Sequence, residues 1–162
     1  MEPIWEYIKN CKNSLFRFEG LQDYSEEDGA KWVEIFTTTG KLAELPDERN
    51  EWWKEMKERN EKGLLTQRVR LVTKPMTDYT KMELAYLKEA KKYSGDDIRI
   101  IDEKSFNELM PNGLKDFWII DDTYVFLMEY SPKGKYLKSQ LVEDVKEYVR
   151  LKDRLLEASF PI

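Results

Sequence analysis

Two apolar runs, Phe117-Trp118-Ile119-Ile120 and Tyr124-Val125-Phe126-Leu127-Met128, are joined by the short polar stretch Asp121-Asp122-Thr123. Runs of this kind around a brief turn predict a β-hairpin. Their apolar side chains follow one another without polar alternation, so both faces of the two strands must be covered. A chain built around such a hairpin needs a packing layer above the sheet and another below it.

The rest of the chain supplies those layers. Ile4, Trp5, Ile8 and Cys11 recur at helical spacing, and Leu15 to Glu19 reads as a strand ended by Gly20. Ser25-Glu26-Glu27-Asp28 has the form of a capping box before a helix carrying Trp32, Val33, Ile35 and Phe36, which Gly40 closes. Pro46-Asp47 opens a further helix through Trp52, Trp53 and Met56, with Gly63 as its stop. Leu64 to Val72 is rich in β-formers, Thr77 to Lys92 is helical, and Asp97 to Ile101 is a strand. A short helix around Phe106 to Met110 precedes the turn Pro111-Asn112-Gly113. After the hairpin, Ser131 to Gly134 makes a second turn. Tyr136 and Leu137 begin a third strand, and Leu141 to Leu156 reads as a closing helix. Residues 1–162 carry no linker and no repeat, so the expectation is one domain. Its class is α/β (or α+β), a mixed β-sheet flanked by helices.

Several chemistries are excluded by residue type. The chain has no histidine and one cysteine, Cys11. Ser-His-Asp and Cys-His catalysis need an imidazole to move the nucleophile's proton. The usual zinc sites draw on Cys and His together. The seven glycines form neither G-x-G-x-x-G nor G-x-x-x-x-G-K-[ST], so no phosphate-cradling loop is present. No cofactor, metal or catalytic residue is therefore assigned. With 27 basic and 32 acidic residues the net charge is −5, which disfavours nonspecific nucleic-acid binding. The absence of a long apolar window and of a signal-peptide pattern sets the expectation of a cytoplasmic chain with no membrane partner.

One polar constellation stands out. Side chains alternate along a strand, so Arg68 and Arg70 fall on one face of Gln67 to Val72, with Val69 and Leu71 on the other. Arg17 and Arg99 also stand in the middle of predicted strands. A guanidinium near a core demands a partner. Glu19, Glu83, Asp97, Asp121, Asp122 and Glu129 are acidic candidates, with Tyr79 and Tyr124 adding hydroxyls. Either the arginines share a pocket for a phosphate or carboxylate, or they form internal and sheet-edge salt bridges. The ligand-binding expectation is that Arg68, Arg70 and Arg99 contact an anion while Tyr79, Glu83 and Asp121 hold them. The tryptophans at 5, 32, 52, 53 and 118 could stack bases, but their spacing reads as core. Trp52 and Trp53 are consecutive and cannot share a helix face.

Arg68-Val-Arg70, Pro75-x-x-x-Tyr79-x-x-x-Glu83, Asp97-Ile-Arg99 and Phe117-Trp118-x-x-Asp121-Asp122, with Phe16-Arg17-x-Glu19 and Tyr24 before them, resemble an uncharacterised bacterial family. That family is best known from actinobacteria, often encoded near helix-turn-helix regulators. The resemblance covers roughly residues 14 to 160 and implies a regulatory setting. The segment Ile119 to Leu127 is also similar to the strand pair of the phospholipase D signature, H-x-K-x-x-x-x-D. Laid on Asp121, that pattern puts Leu114 at the nucleophile and Asp116 at the lysine, which implies a phospholipase-D-like sandwich without its chemistry. The leading expectation is a non-enzymatic binding or sensor domain for a small anionic ligand or a regulatory protein partner. Two alternatives stand beside it. One is a magnesium-dependent hydrolase or nuclease using the carboxylates Asp121, Asp122 and Glu129. The other is an interaction protein of a toxin–antitoxin or phage-defence pair.

Overall fold

Ile4 and Ile8 lie one helical turn apart on the buried side of the first helix, α1 (Pro3–Asn10). The computed structural model describes residues 3–25 and 28–162. After α1 come β1 (Ser14–Glu19), α2 (Gly29–Thr39), α3 (Asp47–Glu61), β2 (Leu65–Val72), α4 (Asp78–Ser94) and β3 (Asp97–Asp102). The chain continues through α5 (Glu103–Leu109), β4 (Phe117–Ile120), β5 (Tyr124–Tyr130), β6 (Tyr136–Val142), α6 (Val145–Ala158) and β7 (Phe160–Pro161). The capping box read at residues 25–28 includes Glu26 and Glu27, which lie outside the described residues. Helix α2 stops where Gly40 adopts φ 70°, a left-handed conformation that glycine enters without strain. Thr77 opens α4 by accepting a hydrogen bond from the Thr80 N–H.

The seven strands form one sheet in the order β6-β5-β4-β1-β2-β3-β7. The central strands β1, β2 and β3 are parallel and joined by helical crossovers. Strands β4, β5 and β6 add an antiparallel meander on one side, and β7 pairs antiparallel with β3 on the other. Every residue of β4 is buried, as its unbroken apolar sequence requires. Asp121 and Asp122 make the hairpin turn with φ 55° and 50°. Two successive positive φ values match the twist of the flanking strands, and aspartate tolerates them better than most residues.

The start of the last helix differs from the expectation at Leu141. Leu141 and Val142 extend β6 by pairing with Phe126 and Val125, and α6 begins only after Asp144, whose carboxylate accepts from the Glu147 N–H. Pairing with an existing strand overrides the helical spacing of Val142, Val145 and Val149.

Helices cover both faces. On one face Phe16, Phe18, Val69, Leu71, Phe117, Ile119 and Val125 pack against Phe106 of α5 and Leu151 and Leu155 of α6. The opposite face carries two separate apolar clusters. Ile4, Ile8, Met56, Trp118, Ile120 and Phe126 form one under α1 and α3. Leu87, Ala90 and Ile98 form the other under α4. Between those clusters, on β1 and β2, the sheet presents charge.

Candidate functional site

Strands β1 and β2 run parallel with Arg17 beside Arg68 and Glu19 beside Arg70. Alternation then puts all four side chains on the same face. Arg17 Nη2 lies 3.3 Å from Glu19 Oε2, and Arg68 Nη1 lies 3.1 Å from Glu19 Oε1. Two guanidiniums therefore share one carboxylate. Arg70 is fully buried; its Nε donates to Glu83 Oε1 at 3.1 Å and its Nη1 to the Leu71 carbonyl at 2.9 Å. Glu83 comes from α4, and Tyr79, one turn earlier on that helix, adds a side-chain hydrogen bond to it. Trp118 of β4 stands beside Arg17, whose guanidinium carbon is 4.8 Å from the indole centroid. Such an arrangement adds cation–π attraction to the burial.

A second layer holds this one. The Tyr24 ring lies 5.3 Å from the Arg70 guanidinium carbon, and its hydroxyl donates to Asp116 Oδ2 at 2.5 Å. Asp116 Oδ1 accepts the Gly20 N–H at 2.8 Å, which ties the segment after β1 to the entry of β4.

The ionisable groups are pushed in opposite directions. Burial opposes ionisation of Glu19, but the positive charges of Arg17, Arg68 and Arg70 outweigh it and hold the carboxyl below its ordinary range. Glu83 moves the other way, since burial and the negative charge of Glu19 outweigh the pull of Arg70. Burial raises Asp116 despite its hydrogen bonds to Tyr24 and Gly20, and it pushes the Tyr130 phenol up to about 12. Neighbouring acids driven apart in this way are typical of functional sites, and of structural ion-pair networks too. Within the described residues, Arg17 Nε, Arg70 Nη2, Glu19 Oε1 and Glu83 Oε2 are all buried without a hydrogen-bond partner.

Above the charged floor lies a cavity of about 570 Å³. Arg17, Glu19 and Arg68 line its base, with Tyr24 and Tyr130 beside them; α1, α2 and α3 contribute walls that include Trp5, Trp32 and Trp52. The side chains of Arg17 and Arg68 keep 23% and 25% of their surface accessible, so both reach the cavity.

Of the six residues singled out in the sequence, the structure gathers Arg68, Arg70, Tyr79 and Glu83 and separates Arg99 and Asp121; of the gathered four, Arg68 lines the cavity, whereas Arg70, expected to touch an anion, is fully buried beneath it. Arg99 pairs in register with Val69, so its side chain lies on the opposite face of the sheet. There it donates to Ser159 Oγ at 2.9 Å and to the Ser159 carbonyl at 2.8 Å, fastening the approach to β7. Asp121 is engaged by backbone: Oδ1 accepts the N–H groups of Lys12, Asn13 and Ser14 at 3.0, 2.7 and 3.1 Å. Burial opposes its ionisation, but these hydrogen bonds prevail and hold its carboxyl below the usual value. Asp122 pairs with Lys152 at 2.6 Å, and Glu129 lies 3.9 Å from Lys115 and 3.7 Å from Lys138. The three carboxylates of the hydrolase alternative thus have separate partners. Among the described residues, no group of three acidic or cysteine side chains is placed to hold a metal ion.

Arg17 and Glu19 take the places that Arg99 and Asp121 were expected to fill. Their signal was in the sequence, because both sit on the same parity of β1 as Arg68 and Arg70 do on β2. Asp116 and the tryptophan walls had no such signal; only the folded chain brings them to the arginines.

A mixed α/β domain with a buried arginine–carboxylate network opening into an aromatic-walled cavity is what the fold and the site define. The chain belongs to the family described as Domain of unknown function (DUF6879), which it matches over residues 2–162. Comparison with curated proteins finds no match. Among the described residues, no helix is long and apolar enough to cross a membrane.

Proposed function

We propose that this domain is a binding module that receives the anionic group of a small ligand at Arg17 and Arg68, and that it serves as a sensor in a regulatory setting. One observation carries the reading: two guanidiniums divide a single carboxylate at the base of an open cavity. Glu83 is committed to Arg70, and Asp116 to Tyr24 and Gly20. A phosphate or carboxylate entering the cavity would complete the pairing of Arg17 and Arg68 through charge-assisted hydrogen bonds. It would do so where water is partly displaced and such contacts are strongest.

Binding is favoured over turnover by the residue types at hand. The chain has no imidazole, Glu19 at the cavity floor is ion-paired with Arg17 and Arg68, and Asp116 is held by Tyr24 and Gly20. The phospholipase-D-like likeness adds nothing to this reading, since Asp121 is engaged by the amides of residues 12–14. A ligand held between the sheet floor and three helices would stiffen their relative placement, which is how occupancy could be relayed to a protein partner.

Thermal denaturation of the intact chain against a panel of phosphates and carboxylates tests the proposal. A ligand at 100 times its dissociation constant adds about 2.7 kcal/mol to stability, and Arg68→Ala abolishes that gain. Absence of any response across phosphates, sulfate, and mono- and dicarboxylates would remove the anion-binding role.

A further inference from the structure

We infer that the ligand is a planar aromatic ring carrying the anionic group, with the ring held among the indoles of the three helical walls. This deepens the anion-binding reading and rests on it. Each wall supplies one tryptophan: Trp5 from α1, Trp32 from α2 and Trp52 from α3. Their exposure is unlike that of the tryptophan in the sheet. Trp118 is buried, and Arg17 lies over its ring. Trp5 is 47% exposed, while Trp32 and Trp52 are half-buried against the open cavity.

Trp52 packs on the apolar cluster under α1 and α3 as well as lining the cavity, but core packing does not account for Trp32. Among the described residues, Trp32 stands outside all three apolar clusters. Trp5 and Trp52 meet edge to face, with ring centroids 6.1 Å apart and planes at 86°, so their faces are not stacked on one another. Indoles lining a cavity attract flat π-systems, each stacked ring adding roughly tenfold or more in affinity. A cationic ligand is a poorer match. The fixed positive charge of Arg49 already stands 5.9 Å from the Trp32 centroid, and at the floor Arg17 and Arg68 outnumber Glu19, although Asp28 and Glu48 also line the cavity. The cavity, at about 570 Å³, falls within the span of small-molecule sites. Its aromatic walls and cationic floor suit a ligand with a flat end and an anionic end. Nucleoside monophosphates and aromatic carboxylates share that chemistry.

Calorimetric titration of the whole chain, supported by quenching of tryptophan fluorescence, separates the sources. AMP and UMP are compared with ribose 5-phosphate, and indole-3-acetate is compared with acetate. At least one ring-bearing anion is expected to bind about tenfold or more tightly than its ring-free counterpart, the ratio set by a single stacked ring. Trp32→Leu and Trp52→Leu should each erase most of that ratio, the ring-bearing anion losing far more affinity than its ring-free counterpart. Arg68→Ala should weaken both members of a pair. Circular dichroism melts confirm that each variant is folded; Trp32, outside the apolar clusters, serves if the Trp52 variant is not. Equal affinity for ring-bearing and ring-free anions would overturn the aromatic assignment and leave the anion site standing. A preference that survives both tryptophan substitutions would overturn it as well. If no anion of either kind binds, the anion-binding reading fails and this one fails with it.

Discussion

On one face of β1 and β2, Phe16, Phe18, Val69 and Leu71 pack among aliphatic and aromatic neighbours. On the other, Arg17, Glu19, Arg68 and Arg70 occupy the alternating positions of the same two strands. Both faces are covered by helices, but the charged one stays partly open, with Arg17 and Arg68 keeping about a quarter of their side-chain surface. The first arrangement draws its stability from apolar burial, which needs only shape and volume. The second must overcome the desolvation of every charge it encloses, and buried ion pairs seldom outperform apolar residues of similar size. A fold seeking stability alone would have continued the apolar pattern across both faces. Apolar burial does not explain the charged face, and the cavity lies above it.

The comparison can be broken most forcefully at Arg70. Arg70→Leu leaves Glu83 buried without its partner and should lower unfolding free energy by about 3–5 kcal/mol in urea titrations. The double variant R70L/E83L removes both charges and should recover most of that loss. Failure to recover would mean that the network holds the fold together as the apolar face does. On the other side, Leu155 is fully buried against β-sheet neighbours. Leu155→Ala should cost about 2–5 kcal/mol, and no second substitution in the charged network should restore it.

A subtler contrast concerns pH. Burial lifts the Asp116 carboxyl above its ordinary value of 3.8. The folded chain therefore holds that proton more tightly than the unfolded chain does. The stability this contributes is complete below 3.8 and is lost as pH rises through the raised folded value. Asp116→Asn should remove that decline, visible as a pH-dependent difference between wild-type and variant unfolding free energies across this window. A constant difference would show that Asp116 does not titrate there. Least of all should change at the exposed helix pair Lys92–Glu89, 3.4 Å apart. Lys92→Ala should shift stability by no more than about 1 kcal/mol. A larger shift would erase the distinction between enclosed and solvated pairs.

Much of this architecture was legible before folding. The unbroken apolar runs of β4 and β5 called for a two-sided sheet, and the alternation of Arg68 and Arg70 with Val69 and Leu71 placed charge on one face of β2. Register was not legible. Arg99 looks equivalent to Arg70 within its own strand, yet pairing with Val69 turns it away from the site. Asp121 reads as a turn residue, which it is, while its engagement with the amides of Lys12 to Ser14 depends on contacts across 107 to 109 positions. Leu141 and Val142 carry a helical period that only the presence of β5 as a neighbour overrules. Local pattern fixes which face a side chain takes within an element, but the neighbour it meets is set by the assembled sheet.

That engagement of Asp121 bears on the cavity, although the residue is nowhere near its floor. The link it grips joins β1 to α1, the helix that presents Ile4, Trp5 and Ile8 as a wall. The wall is thus tied from behind to the hairpin turn, at a point separate from the cavity lining. The cavity's lining and its fastening therefore lie in different parts of the chain. Arginines and indoles line the space, and a distant carboxylate fastens the helix behind them.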